Sequence, residues 1–156
     1  MNSGQRLFAL VSCLVVPACA SAPAASGTGD PAASVGVAAS PLVATLNAVN
    51  SRVFGTVLLT PSGTDRSRVV ISIRGAPMNS ELPWEIRAGQ CGEGGPALGL
   101  EAVYRVISAR SDGTGELSLT VPMSIPAGPV HSVNVLASRV DRDRVVSCGV
   151  FSPAVR

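Results

Sequence analysis

The chain reads as an all-β protein: about eight short antiparallel strands in a Greek-key sandwich or flattened barrel. Three observations predict this. Apolar residues alternate with polar ones in recurring runs after residue 42. Turn-forming clusters separate the runs, as in Pro61-Ser62-Gly63-Thr64-Asp65 and Ser111-Asp112-Gly113-Thr114-Gly115. No stretch beyond residue 42 shows sustained helical spacing flanked by caps.

The first segment, residues 1–18, is expected to be a secretory signal of the lipoprotein type. Arg6 precedes an apolar run from Leu7 to Val16 that is too short to span a bilayer. The run ends Val16-Pro17-Ala18-Cys19, which resembles the lipobox of bacterial lipoproteins, with Pro17 where a small or β-branched residue is usual. The resemblance implies that Cys19 becomes the first mature residue and carries a lipid. The alternative is an ordinary signal peptide cut near Ala18 or Ala20. Residues 19–41 follow as a linker of Ala, Ser, Gly and Pro whose single charge is Asp30. Such a segment has too little large apolar surface to offset its ordering entropy and suits a tether between membrane and domain.

Residues 42–156 form the expected β domain. Candidate strands are 43–49, 53–60, 68–74, 84–88, 102–107, 116–121, 133–138 and 145–151. The two cysteines of this domain are Cys91 and Cys148. In an exported chain they are expected to form a disulfide. Closing that loop stabilises by about 4 kcal/mol on the chain-entropy account.

Charge and composition exclude several functions. All 12 basic residues are Arg, against 10 acidic ones, for a net charge of +2. Loss of Arg6 with the signal takes the balance to +1, too little to draw nucleic acid or a membrane surface by electrostatics. Membrane attachment is therefore assigned to the lipid. His131 is the single histidine, so a site built from several imidazoles is excluded.

Three segments carry a resemblance. They are Phe54-Gly55-Thr56-Val57, Pro83-Trp84-Glu85-Ile86-Arg87-Ala88-Gly89-Gln90-Cys91, and Val133-Asn134-Val135-Leu136-Ala137-Ser138 with Ser147-Cys148-Gly149-Val150. In order and spacing, residues 45–151 resemble the copper/zinc superoxide dismutases and the bacterial sandwich domains related to them. The family's early strand carries His-x-His, its late strand a further His, and an Ala-Cys-Gly near the end completes a disulfide. Here the His-x-His positions are Glu85 and Arg87, and the late-strand position is Leu136. Residues 92–111, where the family's zinc loop supplies several His and an Asp, contain neither residue type. Val145 stands at the position of the family's catalytic Arg, with Arg144 beside it.

The resemblance thus implies a sandwich without its metal ligands. Copper cycling needs several imidazoles. Residues two apart on a strand share a face, so Glu85 and Arg87 either pair there or stand as two solvated charges.

The remaining candidates have ordinary readings. His131 is expected to be a solvated residue near a turn, Trp84 a core or rim anchor, and 141–144 a solvated hairpin turn. The Gly-rich run from Cys91 to Gly95 lacks the Lys of a phosphate loop.

The leading expectation is a non-catalytic exported lipoprotein with no cofactor. It sits at the bacterial membrane, on the outer membrane facing the periplasm or the cell surface, as a binding or structural module for an envelope protein or polymer. The alternative is a divergent periplasmic copper-binding or dismutase-type enzyme recruiting His131 with Glu85, or Met78 and Met123.

Overall fold

A computed structural model describes residues 40–124 and 129–154. The signal peptide and residues 19–39 of the linker, with the lipobox Cys19, lie outside the described residues.

Ten strands run along the described chain. They are β1 (Leu42–Ala48), β2 (Phe54–Pro61), β3 (Ser67–Arg74), β4 (Glu81–Leu82), β5 (Trp84–Ala88), β6 (Ile107–Ser108), β7 (Gly115–Val121), β8 (His131–Leu136), β9 (Val145–Val150) and β10 (Ser152–Pro153). The hydrogen-bonded path is β5-β8-β9-β1-β2-β3-β7, with β10 on the start of β1. Every pairing is antiparallel. β4 continues into β5 through Pro83 and pairs with β6. A single bridge from Ala109 to Gly115 then joins the end of β6 to β7. The two ends of the path meet in this way, giving a flattened barrel with few open edges.

The alternation anticipated from sequence is the cause of the core. In β3, Val69, Ile71 and Ile73 point inward while Arg68 and Arg74 face water. Val57 and Leu59 of β2, Ala44 and Leu46 of β1, Trp84 and Ile86 of β5, and Val133 and Val135 of β8 complete the packed interior. Burying a side chain of this size contributes about 1.5–3 kcal/mol. Reversing one strand's register by a single residue would turn its apolar face to solvent.

The expected strand over 102–107 is a correction. Glu101–Val103 is instead a 3-10 turn, and only Ile107–Ser108 joins a ladder. Side chains hold this segment where backbone pairing does not. Trp84 Nε1 donates to the Arg105 carbonyl at 2.6 Å, and the Tyr104 hydroxyl donates to the Leu98 carbonyl. The short β4 lies in a stretch the sequence offered as a connection and β10 beyond the last expected strand, and two-residue ladders leave no periodic signature.

His131 is also corrected. It is 6% exposed, on the same side of β8 as Val133 and Val135 and opposite Ala88 of β5. A residue beside a Pro-rich turn reads as solvated in sequence, but here the strand starts at the histidine itself.

Cys91 and Cys148 are bonded, S–S 2.06 Å, across 57 residues of chain. The link ties the β5–β6 connection to β9. Replacing both with Ala is expected to lower the unfolding free energy by about 4 kcal/mol, mainly by freeing the unfolded chain. Urea titration of the oxidised wild type against the double variant measures it; coincident midpoints would refute the estimate.

Candidate functional site

β5 places its side chains alternately. Trp84 and Ile86 enter the core, so Glu85 and Arg87 must stand together on the outer face. That face is covered nonetheless, with Glu85 only 8% exposed. The cover is the start of the β5–β6 connection. Ala88 N donates to Pro96 O at 3.0 Å and Leu98 N donates to Ile86 O at 2.8 Å, so residues 96–98 lie along the otherwise open edge of β5. Gly95 makes this approach possible, since a Cβ there would stand 1.9 Å from the Ala88 carbonyl oxygen.

The two charged residues pair. Arg87 Nε donates to Glu85 Oε1 at 2.5 Å, and Arg87 Nη1 donates to the Gly95 carbonyl at 3.1 Å. The guanidinium is divided between a carboxylate and the covering loop. The reading of two separately solvated charges does not describe this face.

Cross-strand register extends the site. Glu85 faces Asn134 of β8, Asn134 faces Cys148 of β9, and Cys148 faces Asn47 of β1. Asn134 Oδ1 lies 2.8 Å from Cys148 Sγ. A disulfide sulfur carries no proton, so this is a close contact and not a hydrogen bond. Leu136, two residues along from Asn134, shares its face. A cleft of about 220 Å³ brings Glu85, Arg87 and Leu136 together with Asn134, Arg142 and Asp143. Its charge balances, with two carboxylates against two guanidinium groups.

These residues do not fit a copper or zinc ion. The Glu85 carboxylate is already engaged, a guanidinium has no lone pair to give, and Leu136 offers hydrocarbon. Among the described residues no three His, Cys, Asp or Glu side chains gather in one place. His131 lies on the core-facing side of β8, away from Asn134 and Leu136. Met78 is 72% exposed and lines a separate cleft with Val53, Ala76 and Leu82.

A second, larger cleft of about 570 Å³ adjoins the first and shares Arg142 with it. The Trp84 and Tyr104 rings meet edge to face in its wall, centroids 4.8 Å apart and planes at 84°. Ion pairs join the β8–β9 connection to its surroundings, Arg142 to Glu101 in the cleft wall and Arg139 to Glu81 of β4 at 3.0 Å. The solvated hairpin turn expected at 141–144 is instead the second half of an eight-residue β8–β9 connection, 137–144, in which Asp141 and Arg142 are half-buried, Arg144 Nε holds Asp141 Oδ2 at 2.7 Å and Arg142 reaches across to Glu101. Sequence had singled out Trp84 as an anchor, and it is fully buried. Asn134 could have been found from its two-residue spacing to Leu136. Arg142 and Tyr104 carry no local signal, because loops bring them in.

No protein-family model matches the chain, and no curated protein matches it.

Removing Arg87 leaves a covered carboxylate without its partner. Arg87→Met is expected to cost about 1–3 kcal/mol, below a fully buried pair because Arg87 is partly exposed. Glu85→Gln combined with Arg87→Met should cost less than the single change, by urea denaturation. An effect within error for Arg87→Met would show the pair to be energetically idle.

Tyr104 is the single tyrosine, so its titration is directly visible. Burial pushes its pKa up from 10.0, and the nearby Glu85 carboxylate adds to the rise. A raised pKa in the folded chain leaves stability intact below 10.0 and removes it as pH climbs through the folded value. Phenolate absorbance should therefore develop above pH 10.0 in native protein and earlier in urea-unfolded protein. Coincident curves would contradict the burial.

Proposed function

We propose that this chain is a non-catalytic, exported lipoprotein that serves as a binding module in the bacterial envelope. Its domain is a superoxide dismutase-like sandwich in which an ion pair occupies the place of the metal. One observation carries the reading. Glu85, Arg87 and Leu136, the positions that the resemblance makes metal-ligand positions, line one cleft in which the carboxylate is bound to a guanidinium. The closed antiparallel path and the Cys91–Cys148 link also support the resemblance. The cleft holds no nucleophile set beside a base, so its chemistry suits recognition. A lipid on Cys19 would fix the domain to the membrane through the Ala, Ser, Gly and Pro linker, facing the periplasm or the cell surface.

Two measurements test the two halves of this proposal. Cys19→Ser should move the protein from the membrane to the soluble fraction; unchanged fractionation defeats lipid anchoring. Purified protein incubated with copper and zinc salts should retain no stoichiometric metal and show no dismutase activity. Retention of one copper per chain together with dismutation would overturn the non-catalytic reading.

A further inference from the structure

We infer that the 570 Å³ cleft beside the ion-pair site binds a small polyanion, a ligand presenting at least two carboxylate or phosphate oxyanion groups. The proposal deepens the binding-module reading and rests on it for the kind of role.

Three arginines from two connections line this cleft: Arg105 from one, and Arg139 and Arg142 from the other. Two of them are positioned by glutamates on the facing side. Arg139 uses Nε for Glu81, and Arg142 uses Nη1 for Glu101. Each guanidinium carries five N–H donors, so most of each fork is left for a ligand. Arg105 forms no ion pair among the described residues. Across the two adjoining clefts four arginines stand against four carboxylates, so this cleft offers the free donors of Arg105 and of the two paired forks and not an excess of charge.

The other polar groups of the wall are spent internally. The Trp84 indole N–H is given to the Arg105 carbonyl, and the Tyr104 hydroxyl to the Leu98 carbonyl. The donors that remain are therefore mostly guanidinium forks, whose planar geometry matches carboxylate and phosphate oxygens two at a time. A neutral ligand would leave those forks to water. The volume lies within the range of small-ligand sites.

The geometry supplies its own reporter. Trp84 is the single tryptophan, it lines the cleft, and its indole N–H donates to the Arg105 backbone carbonyl at 2.6 Å. Ligand engagement of Arg105 should alter its emission. The experiment titrates the full chain with pyrophosphate, citrate and glucose, following Trp84 fluorescence and calorimetric heat together. Saturable binding of pyrophosphate, citrate or both is expected, weakening as salt is added. Binding of one alone supports the proposal and assigns phosphate or carboxylate as the source.

Arg105→Gln, an exposed position expected to fold, should weaken affinity about tenfold. Arg68→Gln, on the outer face of β3, should leave it unchanged. No binding by either method, equal binding of glucose, or wild-type affinity in Arg105→Gln would overturn the proposal. None of these outcomes bears on Cys19 fractionation or metal retention, so failure here is distinguishable from failure of the envelope-module reading.

Discussion

The covalent link from Cys91 to Cys148 is the constraint on which both clefts depend. It anchors the start of the β5–β6 connection to β9, across the outer face of β5 and β8. From that anchor the chain returns along β5, making two backbone hydrogen bonds at residues 96–98. The return covers Glu85, supplies the Gly95 carbonyl to Arg87, and brings Tyr104 against Trp84. A connection left loose would leave Glu85 and Arg87 as ordinary solvated charges. Held down, it changes their dielectric surroundings and makes the ion pair a structural element.

The same strand serves two purposes through opposite faces. Trp84 and Ile86 are among the most deeply buried side chains, and Glu85 and Arg87 alternate with them on the other side. A metalloprotein can use that alternation to hold a cation against a rigid sheet. In this chain it holds a carboxylate and a guanidinium, which neutralise each other with no ion from solution. The pair is thereby satisfied within the fold, and Arg105, Arg139 and Arg142 line the neighbouring larger cleft.

Much of the barrel was legible from residues alone. The alternation of 68–74 and 84–88 matches β3 and β5 because each strand has one face in the core, where a polar residue would lose its water without replacement. The segment 102–107 misled for the opposite reason. Tyr104 packs edge-on against Trp84 and gives its hydroxyl to the Leu98 carbonyl, the Trp84 indole reaches the Arg105 carbonyl, and the backbone pairs over only two residues. His131 misled because burial at a strand's end depends on what the adjoining turn and strands place over it. No residue next to it in sequence carries that information.

For this protein, sequence by itself determined the all-β class, the strand positions that alternate, the pairing of the domain's two cysteines and the absence of a multi-histidine site. These follow from short-range periodicity and from counts. Only the tertiary structure decided that Glu85 and Arg87 are bonded under a loop, that Asn134 and Leu136 share their cleft, and that Arg105, Arg139 and Arg142 converge. Those outcomes depend on where two long connections cross the end of the barrel. Loop paths are fixed by contacts between residues far apart in the chain, such as Arg142 with Glu101, and no local pattern encodes them.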